Sequence, residues 1–217
     1  MSNELEYIYS SVKGIRQNEN RDACLVLDKL EFIIFAVFDG VSSAAGGKTA
    51  SVFAKSFVKS NVEKFVRNKI DIKGLMNELN CKLLESGIVE PYCTYCFVYY
   101  NKSTTYFDYS WLGDSRIYLV TNKFIEQFTI DDHYSGNYIT YFLGKEDLVL
   151  SDFRQLRREK GGQHLLLCTD GFYNILESNR LVFFDYFQNK SLPRIRFKIG
   201  NFLKGKNVDD STYIFVK

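Results

Sequence analysis

Hydrophobic residues recur at two different spacings along the chain, and the change of spacing separates predicted strands from predicted helices. Residues 23–38 predict two strands, and the second, 32–38, is an unbroken apolar run. A strand without polar positions is expected to be buried on both faces. Residues 50–66 and 72–83 then carry apolar side chains at helical spacing, so two helices follow the buried strand. Gly87 is placed to end the second helix with a positive φ.

The second half of the chain begins with strands and continues with helices. Aromatic and β-branched runs between residues 93 and 128, separated by turn residues, predict an antiparallel meander. A loop-like segment over 131–147 follows. The remaining predicted elements are, in order, a strand from Val149, a basic turn over 154–162, an apolar strand over 165–168, a helix capped by Ser178, a helix opened by Ser191 and Pro193, and a strand over 212–216. This order predicts a single α+β domain, residues 1–217, in which helix pairs cover a sandwich of sheets.

The composition is that of an ordinary folded protein, and it excludes several classes of partner. The 217 residues include 28 Lys and Arg against 26 Asp and Glu, a formal net charge of +2. This near balance offers little attraction to nucleic acid or to an anionic membrane, so neither is an expected partner. The chain has no apolar run of about 18 residues, and its N-terminus lacks the pattern of a signal peptide. A cytoplasmic location is therefore expected.

Five cysteines form an odd set that lies mostly inside apolar runs, which is typical of reduced thiols in a core. Cys93 and Cys96 form a lone CxxC. A zinc site would need a second CxxC or a nearby His, so burial in the core is the expected role of this pair. The five are Cys24, Cys81, Cys93, Cys96 and Cys168.

Two acidic residues mark the ends of the two fully apolar strands. Asp39-Gly40 follows the first strand and Asp170-Gly171 follows the second, and each leads into a predicted helix. A carboxylate at the end of a buried strand costs free energy unless it is compensated, and divalent cations compensate several such groups at once. A neighbouring glycine lets the backbone carbonyl approach the same ion. Each Asp alone is better explained by a helix cap or a turn, but the two together favour a metal site.

Other acidic residues have a similar setting. Asp114 lies in the segment GDSR between two predicted strands, Asp209-Asp210 precedes the closing strand, and Asp22 opens the first strand pair. Taken singly, each is an ordinary turn or loop residue.

Five ordered segments carry a resemblance to a known family. They are KGIRQNENRDACLVL, FAVFDGVSSAAGGKTAS, YSWLGDSRIYLV, LLLCTDGFYNILE and DDSTYIFVK. Together they resemble the signature blocks of the metal-dependent protein phosphatases of type 2C, and the chain looks like a compact, bacterial-like member. The resemblance implies a four-layer α-β-β-α sandwich, with two antiparallel sheets flanked by helix pairs. It also implies hydrolysis of phosphoserine and phosphothreonine in proteins.

The same resemblance implies two ions, Mn²⁺ or Mg²⁺, and a role for each candidate residue. The implied roles are Asp39 bridging the ions, the Gly40 carbonyl on the second ion, Asp170 and Asp209 on the first, Asp22 on waters of the ions, and Asp114 with Asp170 at a third, weaker site. Paired cations lower the pKa of a water between them, which then attacks phosphorus without a protein nucleophile. Arg16 would bind the substrate phosphate, whose oxygens suit a planar guanidinium.

Three positions depart from the family pattern. Arg21 stands where Glu is usual, Val41 where many eukaryotic members have His, and Asp210 where Asn is usual. A cation at position 21 weakens binding of the second ion unless Arg21 points away or Glu19 substitutes. The alternative function is therefore a weakened pseudophosphatase that binds phosphoproteins or a partner. A metal-dependent nuclease is a third interpretation, with little support from the net charge. Asp210 is expected to add negative charge near the metals.

The expected partners are a phosphorylated protein substrate and a Ser/Thr kinase of the same pathway, and the protein is expected to be a monomer. The region between Phe128 and Val149 is short and resembles the flap beside the family's catalytic cleft, so substrate selection is expected to differ or to depend on another protein. The basic segment 154–162 is interpreted as a solvated turn rather than a contact to acidic substrates. His133 and His164, the only histidines, are expected to be loop or strand residues rather than catalytic acids.

Overall fold

The chain folds into strands and helices whose order follows the hydrophobic pattern, in a computed structural model that describes residues 5–66, 69–134 and 138–217. The strands are β1 (Tyr7–Val12), β2 (Asp22–Asp28), β3 (Phe32–Gly40), β4 (Cys93–Asn101), β5 (Tyr106–Leu112), β6 (Arg116–Val120), β7 (Ile125–Gln127), β8 (His133–Tyr134), β9 (Tyr138–Ile139), β10 (Leu156–Glu159), β11 (His164–Cys168) and β12 (Ser211–Val216). The helices are α1 (Gly47–Asn61), α2 (Ile72–Glu85), α3 (Asp170–Ser178), α4 (Arg180–Phe187) and α5 (Leu192–Leu203). Short 3-10 turns cover Val62–Phe65 and Leu150–Asp152.

Two antiparallel sheets of five strands each form the centre of the described part of the chain. The first sheet has the order β1-β12-β11-β6-β7, and the second has the order β10-β5-β4-β3-β2. The short strands β8 and β9 pair only with each other. The predicted α+β fold with two antiparallel sheets is confirmed.

The apolar side chains form three clusters, which correspond to the three interfaces of a four-layer sandwich. Phe35 of β3 and Leu167 of β11 belong to the cluster between the two sheets. Leu79 of α2 belongs to the cluster in which α1 and α2 cover the second sheet. Phe183 of α4 and Ile199 of α5 belong to the cluster that covers the first sheet. This outer layer has three helices rather than a pair, because α3 and α4 are separate helices that meet at position 179.

The elements with the strongest hydrophobic pattern are confirmed. β3 is buried at every position from Phe32 to Phe38, and Gly87 follows α2 with a φ of 73°. Ser191 and Pro193 open α5 as predicted. All five cysteines are free, and Cys93, Cys96 and Cys168 are buried.

The predicted meander over 93–128 is wrong because its central turn crosses between the sheets. β4 pairs with β5 and β6 pairs with β7, but β5 and β6 lie in different sheets. Gly113 begins the crossover with a φ of 92°, a conformation that other residues rarely adopt. A Cβ atom at this position would also lie 2.5 Å from the side chain of Thr94. Asp114 is therefore placed between the ends of the two sheets, where a hairpin would not have put it.

Two other predictions about local structure are also wrong, and one strand was missed. No strand begins at Val149, where residues 149–152 form a turn in which the Val149 amide donates to Asp152. Ser178 ends α3 rather than capping the next helix, and its hydroxyl donates to the carbonyl of Asn174. β1 was not predicted, because its strand character depends on pairing with β12. Residues 1–4 of the predicted domain and 135–137 of the predicted loop lie outside the described ranges.

The basic segment consists of β10 and a following turn at Gly161 and Gly162, and two of its arginines form ion pairs rather than being only solvated. Arg157 of β10 makes two hydrogen bonds, of 3.1 and 2.9 Å, to the buried carboxylate of Asp108 on β5. Arg154 donates to the buried carboxylate of Asp132. Each buried carboxylate requires a charged partner, so the arginines are part of the fold. In the described ranges, no helix has the length and apolar character needed to cross a bilayer.

Removing Phe35 should destabilise the protein strongly, because this side chain is fully buried between the sheets. We expect Phe35→Ala to lower the free energy of unfolding by about 3–5 kcal/mol, measured by urea denaturation. The control is Tyr106→Ala, because Tyr106 of β5 is 46% exposed. This variant should change the free energy of unfolding by no more than about 0.5 kcal/mol. Equal losses for the two variants would contradict the position of this core.

Candidate functional site

Five carboxylates from separate segments come together at one end of the sheets. Asp22 and Asp39 are directly opposite each other in the register of β2 and β3, and Asp170 begins α3 directly after β11. Asp39 and Asp170 lie close enough to influence each other's pKa. Asp114 at the crossover and Asp209 before β12 are close enough to act electrostatically on Asp39. All five predicted acidic ligands therefore belong to one cluster.

Burial and mutual repulsion make this cluster electrostatically unfavourable. Burial raises the pKa of Asp22 to about 7 and that of Asp170 to about 6. The pKa of Asp39 rises well above its ordinary value, first through burial and then through four neighbouring carboxylates. Burial also raises the pKa of Asp114, although nearby His133 lowers it. Concentrated negative charge of this kind is what a bound divalent cation compensates.

The clustered aspartates fit a divalent cation by their chemistry, although their side chains do not surround a common point closely enough to coordinate one ion. In the described ranges, no group of three His, Cys, Asp or Glu side chains is arranged so that it could hold an ion as it stands. Carboxylate oxygens are nevertheless the ligands that Mg²⁺ and Mn²⁺ prefer. Gly40 packs directly against the carbonyl of Gly47 in α1, and a Cβ atom there would collide with that backbone. Glycine is thus required where the strand meets the helix.

Asp210 has a structural role that the sequence analysis missed. Its negative charge contributes to the raised pKa of Asp22, as expected, and its buried carboxylate also accepts hydrogen bonds from the backbone amides of Gly14 (2.8 Å) and Arg21 (2.7 Å). Asp210 thereby joins the loop before β2 to the loop before β12. The only signal in the sequence was that two aspartates are adjacent. Their adjacency does not show that Asp209 faces the cluster whereas Asp210 binds backbone amides.

The loop between β1 and β2 carries the predicted phosphate ligand. Arg16 is exposed, and its backbone amide donates to the carbonyl of Val208. Gln17, which the sequence analysis did not single out, donates to Asp209 at 2.7 Å.

Neither Arg21 nor Glu19 contacts the carboxylate cluster with its side chain. The Arg21 guanidinium donates to the carbonyl of Ser42, and no ion pair between Arg21 and a carboxylate occurs within the described part of the chain. Glu19 pairs with Lys48 at 2.8 Å, so it does not substitute for an acidic residue at position 21.

Thr169 is a second residue that the sequence analysis missed. Its hydroxyl donates to the Asp22 carboxylate at 2.8 Å and accepts from the Thr212 amide at 3.1 Å. It therefore holds Asp22 against β12. Its position directly before Asp170 was the only signal.

A cleft of about 750 Å³ opens beside the carboxylates. Asp39, Asp114 and Asp170 line it, whereas Asp22, Asp209 and Arg16 lie outside its lining. The other lining residues are Val41, Ser42, Ser43, Tyr92, Thr94, Arg116, His133, Tyr138, Ile139, Phe142, Tyr173 and Asn174. His133 belongs to β8, and its Nε2 lies 3.7 Å from a carboxylate oxygen of Asp114. His164 lies in β11.

Comparison with known proteins agrees with this architecture. A family model described as protein phosphatase 2C matches residues 14–197. The serine/threonine phosphatase Stp1 of Staphylococcus aureus is 18% identical, with a TM-score of 0.81 over 100% of this chain and 96% of that one. The S. agalactiae serine/threonine phosphatase is 16% identical, with a TM-score of 0.80 over 98% and 99%. RsbX in complex with magnesium is 17% identical, with a TM-score of 0.73 over 100% and 96%. At these sequence identities, the likeness to the three solved structures shows a shared fold. A search of curated proteins finds no match in sequence.

The metal-free protein should lose stability as the pH rises. The carboxyl groups of Asp22 and Asp170 have a pKa of about 7 and about 6 in the folded state, against 3.8 in the unfolded chain. The folded state therefore binds more protons than the unfolded chain does, and this difference stabilises it at low pH. The stabilisation is complete below about pH 4 and is lost as the pH rises through about 6 to 7. Thermal unfolding in EDTA should give a lower Tm near pH 8 than near pH 5, and Asp22→Asn should reduce the difference. A Tm difference that Asp22→Asn leaves unaltered would contradict the raised pKa of Asp22.

Asp210→Ala should loosen the loop that carries Arg16. The buried Gly14 amide and the partly buried Arg21 amide would lose their acceptor, at about 1–3 kcal/mol for the buried one, and both amides should exchange with solvent faster. Hydrogen exchange and urea denaturation measure both effects. The control is Asp185→Ala, at an exposed position of α4. Unaltered protection of both amides would show that Asp210 does not hold this loop.

Proposed function

Because the chain belongs to the protein phosphatase 2C family, we propose that it hydrolyses phosphoserine and phosphothreonine in proteins at the cleft beside the carboxylate cluster. The family consists of metal-dependent serine/threonine phosphatases, whose substrates are phosphoproteins. The observation that carries the proposal is the convergence of five acidic residues from distant segments into one cluster, three of which line the cleft, with raised pKa values for Asp22, Asp39 and Asp170. Such a cluster is costly to fold and is typical of a functional site.

We assign the acidic residues to two divalent cations, Mn²⁺ or Mg²⁺. When bound, paired cations lower the pKa of a coordinated water and neutralise charge that develops on the phosphoryl group. The proposed ligands are Asp39 for both ions, the Gly40 carbonyl for the second and Asp170 with Asp209 for the first, with Asp22 on waters of the ions and Asp114 with Asp170 at a third site. The magnesium complex of RsbX, which shares the fold, supports the binding of a divalent cation.

The chain's own residues position the substrate and the cluster. Arg16 is exposed on a loop that Asp210 joins to the Asp209 segment, so its guanidinium is available for phosphate oxygens. Thr169 orients Asp22 by a hydrogen bond. The cytoplasmic location, the monomeric state and a partner kinase stay predictions.

A pseudophosphatase is the second candidate because Arg21 lies next to Asp22. The contact of Arg21 with Ser42 keeps its guanidinium engaged with the loop after β3, which favours catalysis over mere binding. Calorimetric titration with Mn²⁺ separates the two functions. Two bound ions support the phosphatase, and one or none supports the binding module.

Activity should require both the metal and the cluster. We expect Mn²⁺-dependent release of phosphate from a phosphothreonine peptide, and a loss of about 100-fold or more in Asp39→Asn or Asp170→Asn. Asp185→Asn makes the same change of charge at an exposed site and should retain the activity. Circular dichroism of each variant checks folding. Release of phosphate at the same rate in excess EDTA would refute the proposal.

A further inference from the structure

The cleft has one acidic side and one apolar side. Asp39, Asp114 and Asp170 form the acidic side, which we call the carboxylate floor. Tyr92, Tyr138, Ile139 and Phe142 line the apolar side, which we call the aromatic wall. The rings of Tyr92 and Phe142 pack at a centroid distance of 4.8 Å, and Tyr138 is 80% exposed. None of the four side chains is buried. Apolar surface open to solvent in a concave site is typical of ligand recognition.

The aromatic wall is joined to the carboxylate floor through the backbone. Cys93 and Leu143 exchange two hydrogen bonds, of 3.2 and 2.8 Å, which hold Tyr92 beside Phe142. The Val41 amide, which follows Asp39-Gly40, donates to the Tyr92 carbonyl at 3.0 Å. The Tyr92 and Phe142 part of the wall is therefore at a set position next to the floor, and one bound molecule can touch both.

The basic side chains of the cleft are already engaged. Arg116 donates three hydrogen bonds to the Asp131 carboxylate and lies 3.5 Å from the centre of the Tyr173 ring. His133 faces Asp114. Among the described residues that line the cleft, no other cation is present. An acidic side chain that enters the cleft beyond the reach of the proposed ions and of Arg16 would find no unengaged cation among these lining residues.

Resting on the proposed function, we propose that the aromatic wall binds an apolar side chain adjacent to the phosphorylated residue. The substrates would then be phosphoproteins in which a bulky apolar residue flanks the phosphoserine or phosphothreonine, and acidic flanks would be disfavoured. The cleft volume of about 750 Å³ is in the range of sites that hold a ligand with one or two side chains. Burial of apolar surface against the rings supplies the preference.

A matched set of phosphothreonine peptides tests this inference. The peptides differ only in the residues on both sides of the phosphothreonine, which are Phe, Glu or Lys. We expect kcat/KM for the Phe-flanked peptide to exceed that for the Glu-flanked and Lys-flanked peptides by about tenfold or more. Equal values, or a preference for Lys or Glu flanks, would overturn the inference. Mn²⁺-dependent hydrolysis of para-nitrophenyl phosphate, which has no flanking residues, tests the proposed function separately.

Variants of the wall connect the preference to these side chains. Tyr138→Ala and Phe142→Ala should each lower the ratio of kcat/KM between the Phe-flanked and Glu-flanked peptides by threefold or more, about 0.65 kcal/mol at RT of about 0.59 kcal/mol. The ratio is independent of the amount of folded enzyme, so partial unfolding of a variant does not alter it. Tyr106→Ala, on β5 at the end away from the cleft, should leave the ratio unaltered. A ratio that no wall variant lowers would assign the preference elsewhere and refute the role of the wall.

Discussion

The mutual repulsion of buried carboxylates is the constraint on which the rest of the structure depends. Asp39 ends a strand that is buried on both faces, and burial together with four neighbouring carboxylates raises its pKa. Such a group destabilises the metal-free fold at neutral pH. The two sheets and their helices supply the large apolar core that tolerates this cost. The site is therefore unfavourable for folding and suited to binding positive charge.

Backbone contacts around the cluster resist its tendency to separate. Asp210 accepts two amide hydrogen bonds from the loop before β2, and Thr169 connects Asp22 with β12. Gly40 allows β3 to touch the first residue of α1. The contact of Asp210 with Gly14 joins residues 196 positions apart in the chain. They keep the acidic side chains near one another in the absence of any ion, which prepares the site for a divalent cation.

The basic residues of the cleft region serve the fold. Adjacent Asp131 and Asp132 pair with Arg116 and Arg154, on the two sides of the crossover that carries Asp114. With these arginines engaged, the proposed binding of substrate depends on metal ions, on Arg16 and on the aromatic wall. A cleft with a charged floor and an apolar side can recognise a phosphate and its neighbouring side chain at once. This division of chemistry explains why the net charge of the chain says nothing about its substrate.

The sequence by itself determined the elements whose pattern is local. The unbroken run over 32–38 predicts a buried strand, helical spacing predicts α1 and α2, and aspartates at strand ends indicate the candidate site. Hydrophobic periodicity reports which faces are buried without reporting what covers them. Only the tertiary structure decided that β5 and β6 lie in different sheets, that Asp210 binds backbone amides and that Arg157 pairs with Asp108. These features arise from contacts between residues distant in the chain, and neither spacing nor composition encodes such contacts.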